Sequence, residues 1–194
     1  MKIRIGVSNR HIHLNRDILD ILYGKDYQLN IKNNLTLEGQ YAALETVTIK
    51  TTKSHIENVR ILGPLREYTQ VEISKTDAYK LGINPPLRNS GDLENSETLI
   101  IIGPKGEIEL DNCCIIAKRH IHISKEDIIK FGLENKKEVS VKIDTKRGGI
   151  LTNVYLKETT CTSSQMHIDM DEANALDVKS GDICQLMKEE IWKN

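Results

Sequence analysis

The segment SNRHIHLN at residues 8 to 15 recurs as AKRHIHIS at residues 117 to 124. A repeat constrains a fold more than a single motif does, because each copy is one supersecondary unit that must bury its apolar face in the same way. Each copy follows a run with β character, Ile3 to Val7 in the first and Cys114 to Ala117 in the second. Each leads into a helix with a start signal. Asn15 is placed to cap a helix carrying Ile18, Leu19 and Leu22 and closed by Gly24. Ser124 and Asp127 form an S-x-x-D cap before Ile128 and Ile129, with Gly132 as the stop. The order strand, His-x-His, capped short helix, glycine stop is thus written twice.

A looser unit recurs as well. EISKTDAYKLGINPP starts with an S-x-x-D pattern at Ser74 and Asp77. HIDMDEANALDVKSGD has the same outline, with Asp169, Asp171 and Glu172 suited to the positive end of a helix dipole. Between these units lie alternating segments: Glu45 to Lys50, Val59 to Leu62, Thr98 to Ile102, Glu107 to Leu110, Val139 to Ile143 and Leu151 to Leu156. Many short strands with few short helices predict a mainly β protein, β-barrels capped by short helices. The helices are too short and scattered for βαβ crossovers. Asn89 to Glu97 and Thr145 to Gly149 read as loops, and residues 24–44 as a polar excursion from the first barrel.

The 194 residues suffice for one large domain or two small ones. A net charge of −1 gives no field to recruit nucleic acid or an anionic membrane, and 4% aromatics leaves little for stacking on bases. No apolar run approaches the ~20 residues that span a bilayer. Met1 is followed almost at once by alternating Ile3, Ile5 and Val7, so no signal peptide is expected. Cys113, Cys114, Cys161 and Cys184 have no CxxC or zinc-ribbon spacing and read as buried free thiols.

Chemistry enters with the histidines. On a strand, side chains at i and i+2 share a face, so His11 with His13, and His120 with His122, each make a two-toothed metal clamp. His55 stands alone and reads as a solvated loop residue. His167, in MHIDMDE, is either a core histidine bonded to a neighbouring carboxylate or a metal ligand with that carboxylate behind it. Alternation in TQVEIS puts Gln70, Glu72 and Ser74 opposite Val71 and Ile73, which by itself reads Glu72 as an exposed strand glutamate. A closed structural zinc usually includes cysteine; histidine-rich ligands favour open positions and catalysis. A cupin also begins with H-x-H, but needs a glutamate a few residues on. Here the next acids, Asp17 and then Glu126 and Asp127, fall in helix turns. LGPLR (Leu62 to Arg66) and LRNSG (Leu87 to Gly91) place Arg66, Arg88 and Ser90 at turns suited to an anion. Spacing alone stops at a metal enzyme acting on an anion.

The set GVSNRHIHL, LGPLREYTQVEIS, NPPLRNSGD, AKRHIHIS and MHIDMDEANA resembles the PduL-type phosphate propanoyltransferase family, in the family's order and over nearly the whole chain. The resemblance implies two β-barrels with helical caps and two zinc ions between them, another divalent transition metal being an alternative. It implies the reaction acyl-CoA + phosphate ⇌ acyl phosphate + CoA. It also implies that the N-terminal strand joins the C-terminal barrel, giving units 1–9 plus 118–194 and 10–117. By motif the metal ligands are His11, His13, Glu72, His120, His122 and His167. Arg66 is then the phosphate residue, Ser90 an active-site serine, and Ser8, Arg60, Leu62, His167 and Asn174 the coenzyme A contacts. A family lysine falls near Lys32 and Asn33.

Members packaged in bacterial microcompartments carry an N-terminal targeting extension, whereas here the first strand begins at about Lys2, which favours the cytoplasm. Acetyl and propanoyl donors both stay open. The expected chemistry is direct attack of phosphate on the thioester, with metal polarising the carbonyl and Arg66 holding phosphate. A metallohydrolase using water in place of phosphate, and a non-catalytic metal-binding module, are the alternatives. Oligomeric state stays open, a homo-oligomer included.

Overall fold

The computed structural model describes residues 1–160 and 163–187. Among these residues fourteen strands and four short helices follow in chain order. They are β1 (Lys2–Ser8), β2 (His11–His13), α1 (Arg16–Tyr23), β3 (Ile31–Asn34), β4 (Tyr41–Lys50), β5 (His55–Gly63), β6 (Gln70–Glu72), α2 (Lys75–Leu81) and β7 (Leu87–Arg88). Then come β8 (Glu97–Ile102), β9 (Glu107–Ala117), β10 (His120–Ile123), α3 (Lys125–Lys130), β11 (Glu138–Ile143), β12 (Gly149–Glu158), β13 (Gln165–Asp169), α4 (Met170–Leu176) and β14 (Ile183–Leu186). Cys161 lies outside the described residues; Cys113, Cys114 and Cys184 are free and buried. Among the described residues no helix is long and apolar enough to cross a membrane.

The chain divides into two units, Asn9–Ala117 in one and Met1–Ser8 with the segment from Lys118 onward in the other. In the second unit β1-β13-β10-β12-β11-β14 close into a six-stranded barrel, β1 pairing parallel with β13 and antiparallel with β14. In the first unit β4-β5-β2-β6-β9 run in order and β8 bridges β9 back to β4, closing a second ring of six. β3 and β7 are added to it at β4 and β9. The two rings share one pairing scheme. Each His-x-His strand is parallel to one neighbour (β2 to β5, β10 to β12) and antiparallel to the strand of the third metal-type residue (β2 to β6, β10 to β13).

Local sequence explains the caps. Asn15 accepts a hydrogen bond from the Ile18 N–H, and α1 buries Ile18, Leu19, Leu22 and Tyr23 on one face before Gly24 turns the chain at φ 104°. Burial of each such side chain contributes about 1.5–3 kcal/mol. Ser74 caps α2 and Ser124 caps α3 in the same way, and Asp169 with Glu172 completes a capping box on α4. α3 buries none of its residues: Ile129 is exposed, and only Ile128 packs on the barrel core, so this helix is held from one edge. The excursion contains more structure than its polar sequence suggests, because β4 begins at Tyr41 and carries the exposed β3 as a hairpin partner. Glu45 anchors it by accepting from the Asn30 backbone and side chain and from the Tyr27 hydroxyl.

Candidate active site

His11, His13 and Glu72 come together in one unit, and His120, His122 and His167 in the other; within each trio the donor atoms lie within 4.8 Å of one another. Register produces both. His11 faces Glu72 across β2 and β6, and His120 faces His167 across β10 and β13. The His11 Nδ1 lies 2.8 Å from the Asn9 carbonyl, and the His120 Nδ1 lies 2.8 Å from the Lys118 carbonyl. A carbonyl only accepts, so each ring carries its proton on Nδ1 and presents the Nε2 lone pair. Those Nε2 atoms stand 3.5 Å from Glu72 Oε2 and 3.1 Å from His122 Nε2. Ligands on a tetrahedral zinc with bonds near 2.0–2.1 Å lie about 3.3–3.4 Å apart, so these two separations match one edge of such a site and each trio is a candidate site for one ion. Burial, then the neighbouring His120 and Lys157, push His122 down to about 3, which keeps it neutral and ready to ligate.

Glu72 corrects its own strand pattern. The face it shares with Gln70 and Ser74 is not the solvent face: Gln70 and Ser74 are buried and Glu72 half-buried. β6 lies between β2 and β9, so its polar side turns toward His11. His55 is exposed as expected, but it opens β5 and pairs loosely with Glu57 at 3.7 Å.

A hydrogen-bonded chain joins Arg66 to this trio. Arg66 donates to Ser90 Oγ and to the Tyr68 hydroxyl, each at 3.2 Å. Gln70 donates to the same Ser90 Oγ at 2.9 Å and to Glu72 Oε1 at 2.6 Å, and accepts from the Gly91 N–H at 2.7 Å. Guanidinium and amide nitrogens can only donate, so Ser90 accepts from both and its own proton is left to donate outward. Alternation puts Gln70 on the face of Glu72 but gives it no role in the site. The signal lay in the looser repeat: TQVEI at 69–73 aligns with SQMHI at 164–168, and Gln165 likewise contacts its trio, Oε1 3.2 Å from His167 Nε2. Gln70→Leu should remove the hydrogen bonds by which the fully buried Gln70 amide ties the Gly91 N–H to Ser90 and Glu72, at about 0.5–1.5 kcal/mol for each bond lost. A urea unfolding midpoint unchanged from the wild type would show that the amide is not holding the loop.

The coenzyme A candidates are drawn from both units. Ser8 ends β1 opposite Asp169, and Asn174 is exposed on α4, both in the unit of His167. Arg60 and Leu62 lie on β5 in the other unit. The Arg60 guanidinium donates to the carbonyls of Ala43, Leu44 and Glu45, where the β4–β5 register shifts between Ala42 and Thr46. It therefore satisfies acceptors that the ladder leaves open. Lys32 and Asn33 lie on the exposed β3. Gly6 faces His167 in the β1–β13 register, and a Cβ there would sit 3.2 Å from the imidazole, so glycine leaves the ring its room.

The sequence model for phosphate propanoyltransferases matches residues 4–179. This chain belongs to the phosphate propanoyltransferase family. Among its relatives, a phosphate propanoyltransferase of Rhodopseudomonas palustris is 45% identical over 187 residues, 96% of this chain and 83% of the relative. One from Thermotoga maritima is 46% identical over 185 residues, 95% and 88% of the two chains. One from Lachnoclostridium phytofermentans is 47% identical over 184 residues, 94% and 86%. Membership in the phosphate propanoyltransferase family makes the chain an acyltransferase that uses phosphate.

Proposed function

We propose that the chain moves a short acyl group, acetyl or propanoyl, between coenzyme A and inorganic phosphate, with two zinc ions. His11, His13 and Glu72 hold one ion; His120, His122 and His167 hold the other. The observation that carries this reading is the chain Arg66–Ser90–Gln70–Glu72, which ties a fixed cation to a metal-type carboxylate within one unit. Three donors in each trio, two nitrogens and an oxygen in the first and three nitrogens in the second, leave a position open on a four-coordinate ion, as catalytic zinc requires. When bound, the metal supplies a Lewis acid for the thioester carbonyl.

The protein's own groups do the rest. Arg66 offers its planar fork to phosphate and offsets the repulsion between phosphate and coenzyme A. Ser90, with both nitrogen donors behind it, turns its proton to a phosphate oxygen and helps to align the attacking oxygen. Cys113, Cys114 and Cys184 are buried with their thiols pushed up, so none is a nucleophile for an acyl-enzyme; direct attack by phosphate needs none. Release of coenzyme A thiol from acetyl- and propanoyl-CoA is expected to require phosphate. Equal release without phosphate would replace this reading by thioester hydrolysis, and the ratio of kcat/KM values ranks the two donors.

A further inference from the structure

The residue before each His-x-His pair is arginine, Arg10 and Arg119. The phosphate reading does not use either one. Arg10 grips Asp77 with its Nε 2.9 Å from both carboxylate oxygens and a terminal nitrogen 2.8 Å from one of them. Arg119 donates to Glu172 at 2.9 Å. Asp77 and Glu172 occupy the same place. Each follows the third residue of its trio by five positions, Glu72 to Asp77 and His167 to Glu172. Each is the N3 residue of its helix, its backbone N–H bonded to the capping side chain of Ser74 or Asp169. The two units are therefore built with the same clamp, from the His-x-His strand to the helix that begins just after the third ligand.

We infer that Arg10 and Arg119 are positioning residues for the two metal trios, each locking the corner after the third ligand to the strand that carries the other two. The inference rests on the metal reading above. Its physical basis is that β6 and β13 are short and end at these corners. β2 pairs with β6 over only three residue pairs, and β10 pairs with β13 over three. On the other edge Glu72 pairs with β9 and His167 with β1, so the ladders hold the strands while the corner that follows is left to the charge-assisted pair anchored on a capped helix. Asp77 is 5% exposed while the Arg10 side chain is 37% exposed, so the carboxylate end of the pair is shielded and the guanidinium end meets solvent.

The test measures zinc affinity by competition with a chromophoric chelator, site by site. A His122→Ala background leaves the His11–His13–Glu72 site alone, and a His13→Ala background leaves the other. In the first background Arg10→Ala should weaken zinc about 10–100-fold, the range seen when groups behind metal ligands are removed, and Arg119→Ala should not. In the second background the effects should exchange. Arg10→Lys, which restores charge without the fork, should recover part of the loss. Asp77→Asn and Glu172→Gln keep size and helix caps, and should give the same pattern should an arginine variant fail to fold. Wild-type affinity in Asp77→Asn and Glu172→Gln would overturn the inference. Failure of the wild-type chain itself to bind zinc would overturn the metal reading instead.

Discussion

His122→Ala is expected to lose one of two zinc equivalents and to lower acyl transfer by more than about 100-fold, since even groups behind a ligand cost 10–100-fold in metal affinity. The side chain is 5% exposed, and its Nε2 faces that of His120 at 3.1 Å. Its ring centroid is 4.8 Å from that of His120 and 5.0 Å from that of His167, so alanine takes the middle donor from a three-donor site. Because His122 stays neutral well below the ordinary histidine range, protons do not compete with metal for it at neutral pH. His55→Ala is the matched control. That side chain is 59% exposed and has only a loose pair with Glu57, worth about 0–1 kcal/mol. Metal content after dialysis against a weak chelator, and rates for both variants, decide the matter. Two retained equivalents with full activity in His122→Ala would remove the trio from the reaction.

Arg66→Ala should reduce turnover by about 10²–10³-fold, the usual cost of removing one preorganised group that stabilises developing charge. Among the described residues its side chain bonds Tyr68 and Ser90, while its backbone N–H bonds the Leu14 carbonyl and survives the substitution. The fold and both metal trios should therefore persist. Arg66→Lys keeps the charge but not the fork, and should fall between the two. Initial rate against phosphate at saturating acyl-CoA separates the roles. A contact made equally in ground and transition states raises KM, and one that strengthens with charge lowers kcat. Wild-type phosphate kinetics in Arg66→Ala would leave the anion without its assigned residue.

Much of the architecture is legible along the chain because its determinants are local. The capped helices are announced by Asn15, Ser74, Ser124 and Asp169, whose side chains reach backbone N–H groups three residues ahead. The His-x-His clamps follow from the two-residue period of a strand. The pattern of short alternating strands points to barrels. Glu72 shows the limit of that reasoning. Alternation says which residues share a face, and in a half-buried strand that is enough. It does not say whether the polar face meets water or another polar site, and for β6 it meets His11.

The repeat, the capped helices, the long alternating strands and the chemistry of each donor are legible along the chain, since these depend on residue type and on spacings of two to five positions, whereas β3 in the polar excursion is not. The folded chain divides the six candidate ligands into His11–His13–Glu72 and His120–His122–His167. It alone joined Arg66 to Glu72 through Ser90 and Gln70, and each leading arginine to its acid, Arg10 to Asp77 and Arg119 to Glu172. Those partners lie 67 and 53 residues apart in the arginine pairs. Contacts at that separation are fixed by strand register and barrel closure, and the energy that selects a register is spread over the buried faces of a whole ring. No local spacing encodes it.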